Sequence, residues 1–389
     1  MMMHLALVAC CLVAGAAPGG YTVLGDSFSG VSPHALVKAS LMDVAHGQLD
    51  AWETRYEAVK TPEECAAYQA AARAFFIEHI GGLPERTPLN AQVTRGGEKD
   101  LFRYENVIFE SQPGIRATAV LYLPKSAPPY PAVLIPCGHD TNGKECEAYQ
   151  RVAILLAMNG MAAFCFDPSG QGERMSYFDN DRKPILATTL HHTTEGVGAI
   201  LTGACMARYF IWDGMRAVDY LQSRSDIDGK RIGCTGNSGG GTQTSYFMAL
   251  DERIQCAAPS CYITSFRRLL DTIGPQDAEQ NIFGQLSSLN QSDYIHLRAP
   301  KPTLLCTATR DFFDIAGSWD SFRHAKRFYT RLGFAERVDL IEADDEHGFT
   351  KPRREAAARW MSRWLLGVDT PIVEPEFAVL TAEEIQCSP

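Results

Sequence analysis

The chain has 389 residues, of which 46% are hydrophobic, and acidic residues outnumber Lys and Arg by 46 to 36. This length and apolar content predict one large folded core with smaller extensions. The formal net charge of -10, without a basic cluster interleaved with aromatic residues, argues against nucleic acid and anionic membrane surfaces as partners.

The chain begins with an apolar run that ends in small residues, MMMHLALVACCLVAGAAPGG. Ala14 and Ala16 are placed as a signal-peptidase site, so we predict an export signal over residues 1–17 and a periplasmic or extracellular location. An apolar cytosolic N-terminus is the alternative, because His4 stands where Lys or Arg is usual, and Leu7–Cys10 could mimic a lipoprotein box. Later apolar runs are shorter than the roughly 20 residues that span a bilayer, so no membrane insertion of the mature chain is expected.

Residues 18–100 are predicted to form an N-terminal helical arm followed by a connection. Apolar and aromatic residues recur every three to four positions from Asp43 to about Ile80, which is the period of a helix. The segment LPERTPLNAQVTRGGEKD is rich in Pro, Gly and Asn, as connections are. We expect the main domain over residues 101–366 and a C-terminal extension over residues 367–389.

Short β-rich runs alternate with helical runs throughout the main domain. Most of the β-rich runs are nearly continuous in apolar residues, which is typical of strands covered on both faces in a parallel sheet. The alternation predicts a mostly parallel, doubly wound α/β domain, in which ligands bind beyond the carboxyl ends of the strands. The predicted strands are ATAVLYLP, PAVLIPCG, MAAFCFDP, RIGCTG, IQCAAPSC, PTLLCTA and RVDLIEA, and the predicted helices cover residues 147–159, 194–221, 242–250, 318–332 and 353–366.

Ser238 lies in GNSGGG, directly after the predicted strand KRIGCT and directly before a predicted helix. A serine on such a sharp strand-to-helix turn needs small residues two positions before and after it, and Gly236 and Gly240 meet that need. This pattern predicts a nucleophile elbow rather than a flexible linker. A serine hydroxyl is a weak nucleophile without a base, so a histidine partner is required.

His347 is the predicted base, because EADDEHGFT places it in the loop after the strand RVDLIEA. The orienting carboxylate should come from the loop after the preceding strand, in TATRDFFDIAG. That loop offers Asp311 and Asp314, and Asp311 is preferred since it comes first after the strand. The pair His191 and His192 precedes Ser238 and is interpreted as belonging to a binding loop or to the structure.

The remaining site predictions concern the oxyanion hole and metals. Backbone N–H groups of Gly239, after the nucleophile, and His139, in the loop after PAVLIPCG, are the predicted oxyanion donors. The alternative for CGHD is an ordinary tight turn. Twelve cysteines are scattered without metal-finger spacing or CxxC pairs, so neither a metal site nor a disulfide framework is predicted. Neither a metal nor an organic cofactor is needed for the predicted chemistry.

Several segments carry a resemblance to a known family. They are PCGHDTNGK, DPSGQGER, IWDGMRAVDYL, GNSGGGT, GPQDAEQN and ATRDFF, between Leu101 and about Leu366, and PERTPLNA at Pro84–Ala91 in the arm. Together they resemble α/β-hydrolases of the acetylxylan esterase and dienelactone hydrolase-like branch. The resemblance implies Ser238 as nucleophile, Asp311 as acid and His347 as base, in the chain order of α/β-hydrolases. Glucuronoyl esterases are similar but have an arginine after the serine, where Gly239 stands here, and true dienelactone hydrolases use a cysteine.

The sequence therefore predicts a serine carboxylic ester hydrolase that forms an acyl-enzyme, with short acyl esters, in particular acetyl groups on polysaccharide, as substrates. A serine peptidase of the oligopeptidase type and a non-catalytic binding module on the same fold are the alternatives.

Two further segments can each be interpreted in two ways. Thr264–Leu297 is placed where α/β-hydrolases often have a lid, and its Gln276, Asp277 and Gln280 fit either substrate contact or a helix-capping turn. The tail after residue 370 has capping-box spacing in TAEE. Either it docks through Phe377 and Leu380, or it leads into a further domain, with a slight preference for the latter.

Overall fold

The computed structural model describes Gly30 and residues 32–388, and the predicted export signal over residues 1–17 lies outside the described residues. Contacts divide the chain into two units, Met1–Gly47 and Gln48–Pro389, with the boundary inside the first helix, α1 (Leu36–Ala58). The first unit contributes a 3-10 turn, Pro33–Ala35, and the beginning of α1. The sheet and all later helices belong to the second unit.

The helical arm consists of two helices where the sequence predicted one continuous helical run. The first, α1, ends at Ala58, and α2 (Pro62–His79) begins three residues after Val59. Thr61 accepts a hydrogen bond from the Glu64 N–H, and the Glu64 side chain accepts one from the Thr61 N–H, which makes a capping box. The break therefore comes from local capping chemistry that interrupts the apolar period.

Residues of the arm after position 47 bind the α/β domain through a buried carboxylate. The Trp52 indole N–H and the Tyr68 hydroxyl donate to Asp293 at 2.7 and 2.6 Å. Arg73 donates to the backbone carbonyls of Leu250 and Leu297 at 3.1 and 3.0 Å. This part of the arm is thus packed on the domain and not a separate body.

One sheet of nine strands, in the order β1-β2-β3-β5-β4-β6-β7-β8-β9, forms the centre of the described chain. Neighbours from β5 to β9 pair in parallel, and β1, β2 and β3 form an antiparallel edge. The predicted α/β class is confirmed, and all seven predicted strands are present as β3 to β9. The strands are β1 Gln92–Glu98, β2 Arg103–Gln112, β3 Ile115–Leu123, β4 Tyr130–Pro136, β5 Ala162–Phe166, β6 Ile227–Asn237, β7 Ile254–Ser260, β8 Thr303–Arg310 and β9 Val338–Glu346.

The edge strand β1 lies in the segment that the sequence pattern indicated to be a connection. All of its residues are exposed and two of them are glycines, so it has no apolar alternation to mark it as a strand. It is held by antiparallel pairing with β2, for example Gln92 opposite Ile108. The sheet therefore begins before residue 101, where the sequence placed the start of the main domain.

Helices cover both faces of the sheet. Along β4, Ala132 and Leu134 pack into one apolar cluster with α1, α2, α5, α6 and α9, whereas Val133 and Ile135 pack into a second cluster with α3 and α10. The predicted helix over residues 194–221 is two helices, interrupted near Gly203, which has φ 79°. The helices are α3 Glu147–Met158, α4 Thr188–Leu201, α5 Met206–Ser223, α6 Gly239–Leu250, α7 Phe266–Asp271, α8 Asp293–His296, α9 Ile315–Arg331, α10 Lys351–Met361 and α11 Ala382–Ile385. None of the described helices is both long and apolar enough to cross a membrane.

The C-terminal tail docks on the domain. Leu380, Ile385 and Cys387 are buried, and Phe377 packs half-buried against the cluster that includes α3. The Asn106 amide donates to two tail carbonyls, those of residues 384 and 386, both at 2.8 Å. Of the two alternatives for this segment, the described residues show docking, with both predicted anchors in contact.

Deletion of residues 371–389 is expected to lower the melting temperature by roughly 5 °C, because the deletion exposes apolar surface beneath Leu380 and Ile385. Thermal denaturation followed by circular dichroism measures this. The double replacement Glu376→Ala and Val373→Ala, at exposed tail positions, is the matched control and should leave the melting temperature within about 1 °C. An unchanged melting temperature after the deletion would show that the docked tail contributes nothing to stability.

Candidate active site

Ser238 lies on the turn between β6, which ends at Asn237, and α6, which begins at Gly239. Its φ of 59° is in the left-handed region, which residues with a side chain rarely adopt, so the turn is strained. Two hydrogen bonds hold it: the Ser238 N–H donates to Ser260 O at 3.0 Å, and the Thr242 N–H donates to Ser238 O at 2.9 Å. The half-buried hydroxyl is thereby fixed at the carboxyl edge of the sheet.

The glycines two positions on either side of Ser238 are required by close backbone contacts. A Cβ at Gly236 would lie 2.6 Å from the carbonyl oxygen of Gly240. A Cβ at Gly240 would lie 2.3 Å from the carbonyl oxygen of Pro136 at the end of β4. Any larger residue would push the turn away from the sheet, which is the geometric reason for this spacing.

Asp311 and His347 meet where two neighbouring strands end. Asp311 follows β8 and His347 follows β9, and His347 Nδ1 lies 2.8 Å from Asp311 Oδ1. The same oxygen accepts the N–H of Phe313 at 3.0 Å. The side chain of Asp311 is 2% exposed and that of His347 is 22% exposed, so the imidazole is the accessible member of the pair.

The ionisation of Asp311 is set by two opposing effects. Burial disfavours its charged form, but the hydrogen bond from His347 and the charge of that imidazole outweigh burial. The pKa of Asp311 therefore lies below its usual value. The carboxylate is ionised at neutral pH and can stabilise an imidazolium beside it.

Asp314, the other predicted candidate, caps a helix instead. Its Oδ1 accepts the N–H of Gly317 at 3.0 Å at the start of α9. It also lies 3.9 Å from the Arg268 guanidinium. The structure thus brings Asp311, and not Asp314, to His347.

The loop that carries His347 is tied to the turn that carries Ser238. With the Asn237 amide oriented so that its nitrogen faces the loop, it donates to the carbonyl of Gly348 at 3.0 Å. The Cys261 thiol donates to the same carbonyl at 3.7 Å. Asn237 precedes Ser238 and Gly348 follows His347, so these bonds fix the serine and the imidazole relative to one another.

Cys261 is a neighbour of the pair that the sequence did not single out. Burial, with the nearby charge of Asp311, raises the pKa of its thiol to about 12, so the group is a neutral thiol. Its φ of 49° is a second strained position at this edge. Only its place in the loop after β7 could have pointed to it.

The two predicted oxyanion residues lie side by side. A Cβ at Gly239 would lie 2.7 Å from His139 Cε1, and a Cβ at Gly138 would lie 3.2 Å from Ser238 Cβ. Within the described residues the His139 N–H has no hydrogen-bond partner, and Gly239 opens α6, where the first N–H groups lack helical partners. The loop is held by Tyr149, whose hydroxyl accepts the Gly138 N–H, and by Gln171, whose amide donates to the Gly138 carbonyl. Neither supporting residue was predicted.

A second polar cluster, formed by His139, His192, Asp277 and Glu279, lies against Gly239. His192 Nδ1 and His139 Nε2 lie 2.9 and 3.2 Å from Asp277 Oδ2, and Glu279 Oε1 lies 3.5 Å from His139 Nε2. Burial, reinforced by the charge of Asp277, raises the pKa of Glu279 well above its usual value.

The structure shows different surroundings for Asp277 and His191, the two residues near this cluster for which the sequence allowed more than one interpretation. Asp277 caps the 3-10 turn Ala278–Gln280, as the capping-turn interpretation predicted, and it also contacts the two histidines. His191 points away from the cluster, with Nδ1 3.5 Å from Glu195. Glu279 was not predicted, and no sequence signal distinguishes it from a solvent-facing Glu.

The described part of the chain contains a cavity of about 800 Å³. Its walls come from β2, β3, α4 and α5, and they include Ser169, Arg174 and Asp213. Ser238, Asp311 and His347 do not line it.

The mostly parallel sheet, the strained serine turn after β6 and the acid and histidine after β8 and β9 are those of an α/β-hydrolase. The acetyl xylan esterase family profile matches residues 95–293, which is more than half of the chain. The chain belongs to the acetyl xylan esterase family, whose members are carboxylic ester hydrolases.

The chain is also similar to individual proteins and solved structures. The chain is 26% identical over 314 residues to the Bacillus subtilis (strain 168) protein named "Putative hydrolase YtaP", covering 76% of this chain and all of that protein. The structure named "Methylesterase BT1017" is similar with a TM-score of 0.68 and 21% identity, over 89% of this chain and 72% of the other. A glucuronoyl esterase from Solibacter usitatus is similar with a TM-score of 0.58 and 17% identity, over 78% and 94%. At these identities the two structures show a shared fold.

Proposed function

We propose that this protein is a serine esterase that removes acetyl groups from carbohydrate through an acyl-enzyme on Ser238. The observation that supports it most is the bonding of Asn237 and Cys261 to Gly348, which holds the strained Ser238 turn next to the Asp311–His347 pair. The family assignment supports ester hydrolysis by such a site.

In the proposed mechanism, His347 takes the proton of the Ser238 hydroxyl as its oxygen attacks the ester carbonyl. Asp311 accepts the His347 Nδ1–H at 2.8 Å, which fixes the tautomer with Nε2 free and stabilises the imidazolium. The imidazolium then protonates the leaving sugar oxygen, and the acyl group remains on Ser238. A water molecule then gives a proton to His347 as its oxygen attacks the acyl carbon. The bond between that carbon and the Ser238 oxygen breaks, the imidazolium returns the proton to the serine oxygen, and acetic acid leaves.

Negative charge that develops on the carbonyl oxygen requires donors beside Ser238. The N–H groups of Gly239 and His139 are proposed for this role, since the two residues are adjacent and the His139 N–H has no partner in the described structure. Removing one such donor typically costs 10² to 10³ in turnover, or about 3 kcal/mol.

The lack of a side chain at Gly239 is also relevant to the class of ester that the site accepts. A side chain after the serine would collide with the His139 ring at 2.7 Å and approach Glu279 Oε1 at 3.0 Å. An arginine there, which glucuronoyl esterases have by the resemblance above, would force the His139 ring and the Glu279 side chain to shift. This favours neutral acyl esters, such as O-acetyl groups, over esters of uronic acids.

The deciding experiment measures acetate release from acetylated xylan beside p-nitrophenyl acetate, methyl-esterified pectin and aminoacyl anilides. Acetate release with no anilide cleavage is expected. Faster cleavage of anilides would favour the peptidase alternative, and faster methanol release would move the substrate to methyl esters. Failure of a fluorophosphonate probe to label Ser238 would favour the binding module.

The acid side of the pH profile should show a single ionisation. A lowered pKa means that Asp311 loses its proton at a lower pH than usual, so it stays ionised across the range where a histidine base titrates. We therefore expect log(kcat/KM) to fall with slope about 1 as the imidazole is protonated. Assays from about pH 4.5 to 9 test this, and a slope near 2 above about pH 5 would contradict it.

Export to the periplasm or the outside of the cell, predicted from residues 1–17, fits a polysaccharide substrate. Cell fractionation of a tagged full chain tests this proposal, and retention of an unprocessed chain in the cytosol would contradict it.

A further inference from the structure

The cluster of His139, His192, Asp277 and Glu279 has the geometry of a metal centre. We propose that these four side chains bind a divalent first-row metal ion of the Zn²⁺ type beside Gly239. The proposed metal site shares only His139 with the proposed esterase site, through its ring here and through its backbone N–H there. Metal binding can therefore be tested separately from esterase activity.

The candidate ligand atoms of His139, His192 and Asp277 are close enough to bind one ion, and Glu279 would complete a tetrahedral set by a rotation of its side chain. Metal bonds of 2.0 to 2.2 Å to nitrogen and oxygen put neighbouring ligand atoms about 3.3 Å apart. Asp277 Oδ2 lies 2.9 Å from His192 Nδ1 and 3.2 Å from His139 Nε2, and His139 Nε2 lies 3.5 Å from Glu279 Oε1. One atom from each of His139, His192 and Asp277 lies within 4.8 Å of the others.

Backbone groups fix the atoms of these ligands that face away from the proposed ion. His192 Nε2 lies 2.8 Å from the Ser169 carbonyl, which requires a proton on Nε2 and leaves a lone pair on Nδ1 when the ring is neutral. Asp277 Oδ1 accepts the Glu279 N–H at 2.7 Å, which leaves Oδ2 for the centre of the cluster. Such outer partners are what orient histidine and carboxylate ligands at metal sites.

Glu279 supplies an independent observation that points to a cation. Its side chain is 1% exposed, yet neither carboxylate oxygen has a hydrogen-bond partner in the described structure. His139 Nε2, which faces it, lies 3.2 Å from Asp277 Oδ2 but without the geometry of a hydrogen bond. Buried polar groups without partners are rare because each costs about 1 to 3 kcal/mol, and more when charged. A bound ion at the centre of the cluster would satisfy all of these atoms.

The charge of the cluster matches a divalent ion. Two buried carboxylates carry up to two negative charges, and within the described residues neither forms an ion pair with a lysine or arginine. With both imidazoles neutral, one divalent cation balances the site. Two imidazoles and two carboxylates are ligands that Zn²⁺ and its neighbours accept, whereas Mg²⁺ and Ca²⁺ prefer oxygen alone.

The proposed ion would join three segments that are distant in sequence. His139 comes from the loop after β4, His192 from α4, and Asp277 and Glu279 from the segment between β7 and β8. The His139 ring and Glu279 form the wall against Gly239. The ion would therefore hold the segment 277–279 and the wall of the elbow in one arrangement.

The test uses the full chain, stripped with a chelator and then titrated with ZnSO₄ by isothermal calorimetry. About one Zn²⁺ per chain should bind, with a higher melting temperature in its presence. Glu279→Gln and His192→Asn should each weaken binding by roughly 100-fold or more, since each removes a ligand. Ser238→Ala should bind Zn²⁺ like the unaltered chain, which separates this result from any loss of esterase activity.

Two controls are matched to this design. His191→Asn changes the neighbouring buried histidine of α4, which faces Glu195, and should not alter binding. A second group of side chains, Cys261, Asp311 and His347, could also hold an ion. Asp311→Asn removes the carboxylate of that group and should not alter Zn²⁺ binding.

Three results would overturn the proposal: no Zn²⁺ binding, binding that Asp311→Asn abolishes, or binding that survives both Glu279→Gln and His192→Asn. If those variants fail to fold, Co²⁺ replaces Zn²⁺ in the unaltered chain. Visible bands of tetrahedral cobalt without sulfur-to-cobalt charge transfer support the proposed ligands. A sulfur band would assign the ion to Cys261 and refute them.

Discussion

Replacement of Ser238 by Ala is expected to lower kcat for p-nitrophenyl acetate by about 10⁶-fold, because nucleophile, base and acid act as one unit. The fold should persist, since the bonds that hold the turn come from the backbone groups of Ser238 and not from its hydroxyl. Steady-state kinetics and the melting temperature measure the two effects. Retention of more than about 1% of the activity would refute Ser238 as the nucleophile.

Ser245→Ala is the matched control for this experiment. Ser245 is a buried serine of α6 whose hydroxyl donates to the Gly241 carbonyl at 2.7 Å. It lies in the helix that follows the elbow but has no role in the proposed mechanism. Its replacement should change kcat less than about threefold and cost about 1 kcal/mol of stability. A fluorophosphonate probe should label this variant and fail to label Ser238→Ala.

The sheet could be predicted from sequence where its strands are buried on both faces. Such strands are nearly continuous apolar runs, and β4 and β5 are buried at every residue. All seven predicted strands are present as β3 to β9, although the edge strand β9 is only partly buried. The strand β1 has neither an apolar run nor alternation, because it is an exposed edge held by backbone pairing with β2. Backbone pairing leaves no residue signature, so this strand could not be recognised.

Breaks within helical runs were missed for a related reason. The period of apolar residues continues across Thr61 and across Gly203, so periodicity alone predicts one helix in each place. Capping residues and a glycine with positive φ decide the break, and these depend on one or two positions. Their signals are present in the sequence, but they are weaker than the apolar pattern around them.

The candidate site could likewise be predicted only in part. Ser238, Asp311 and His347 could be proposed because each follows a recognisable strand, and strand order brings the ends of β6, β8 and β9 to one edge. The hydrogen bonds from Asn237 and Cys261 to the Gly348 carbonyl depend on side-chain orientation, which the sequence does not show. The cluster of His139, His192, Asp277 and Glu279 comes from three segments more than 50 residues apart, so no spacing motif announces it.

Asp311→Asn should lower kcat by roughly 10⁴-fold, while Asp314→Asn should leave it nearly unchanged. An amide at position 311 can offer an N–H to His347 Nδ1, which favours the tautomer that carries the proton on Nε2 and so removes the base. At position 314 the side chain caps α9, and Asn caps helices about as well as Asp does. The two substitutions make the same chemical change three residues apart, so a general effect of lost charge would appear in both. Kinetics on p-nitrophenyl acetate, with melting temperatures for both variants, distinguish the roles. A larger loss from Asp314→Asn would mean that the acid of the working enzyme is Asp314, and that the 2.8 Å contact between Asp311 and His347 is not the one used in catalysis.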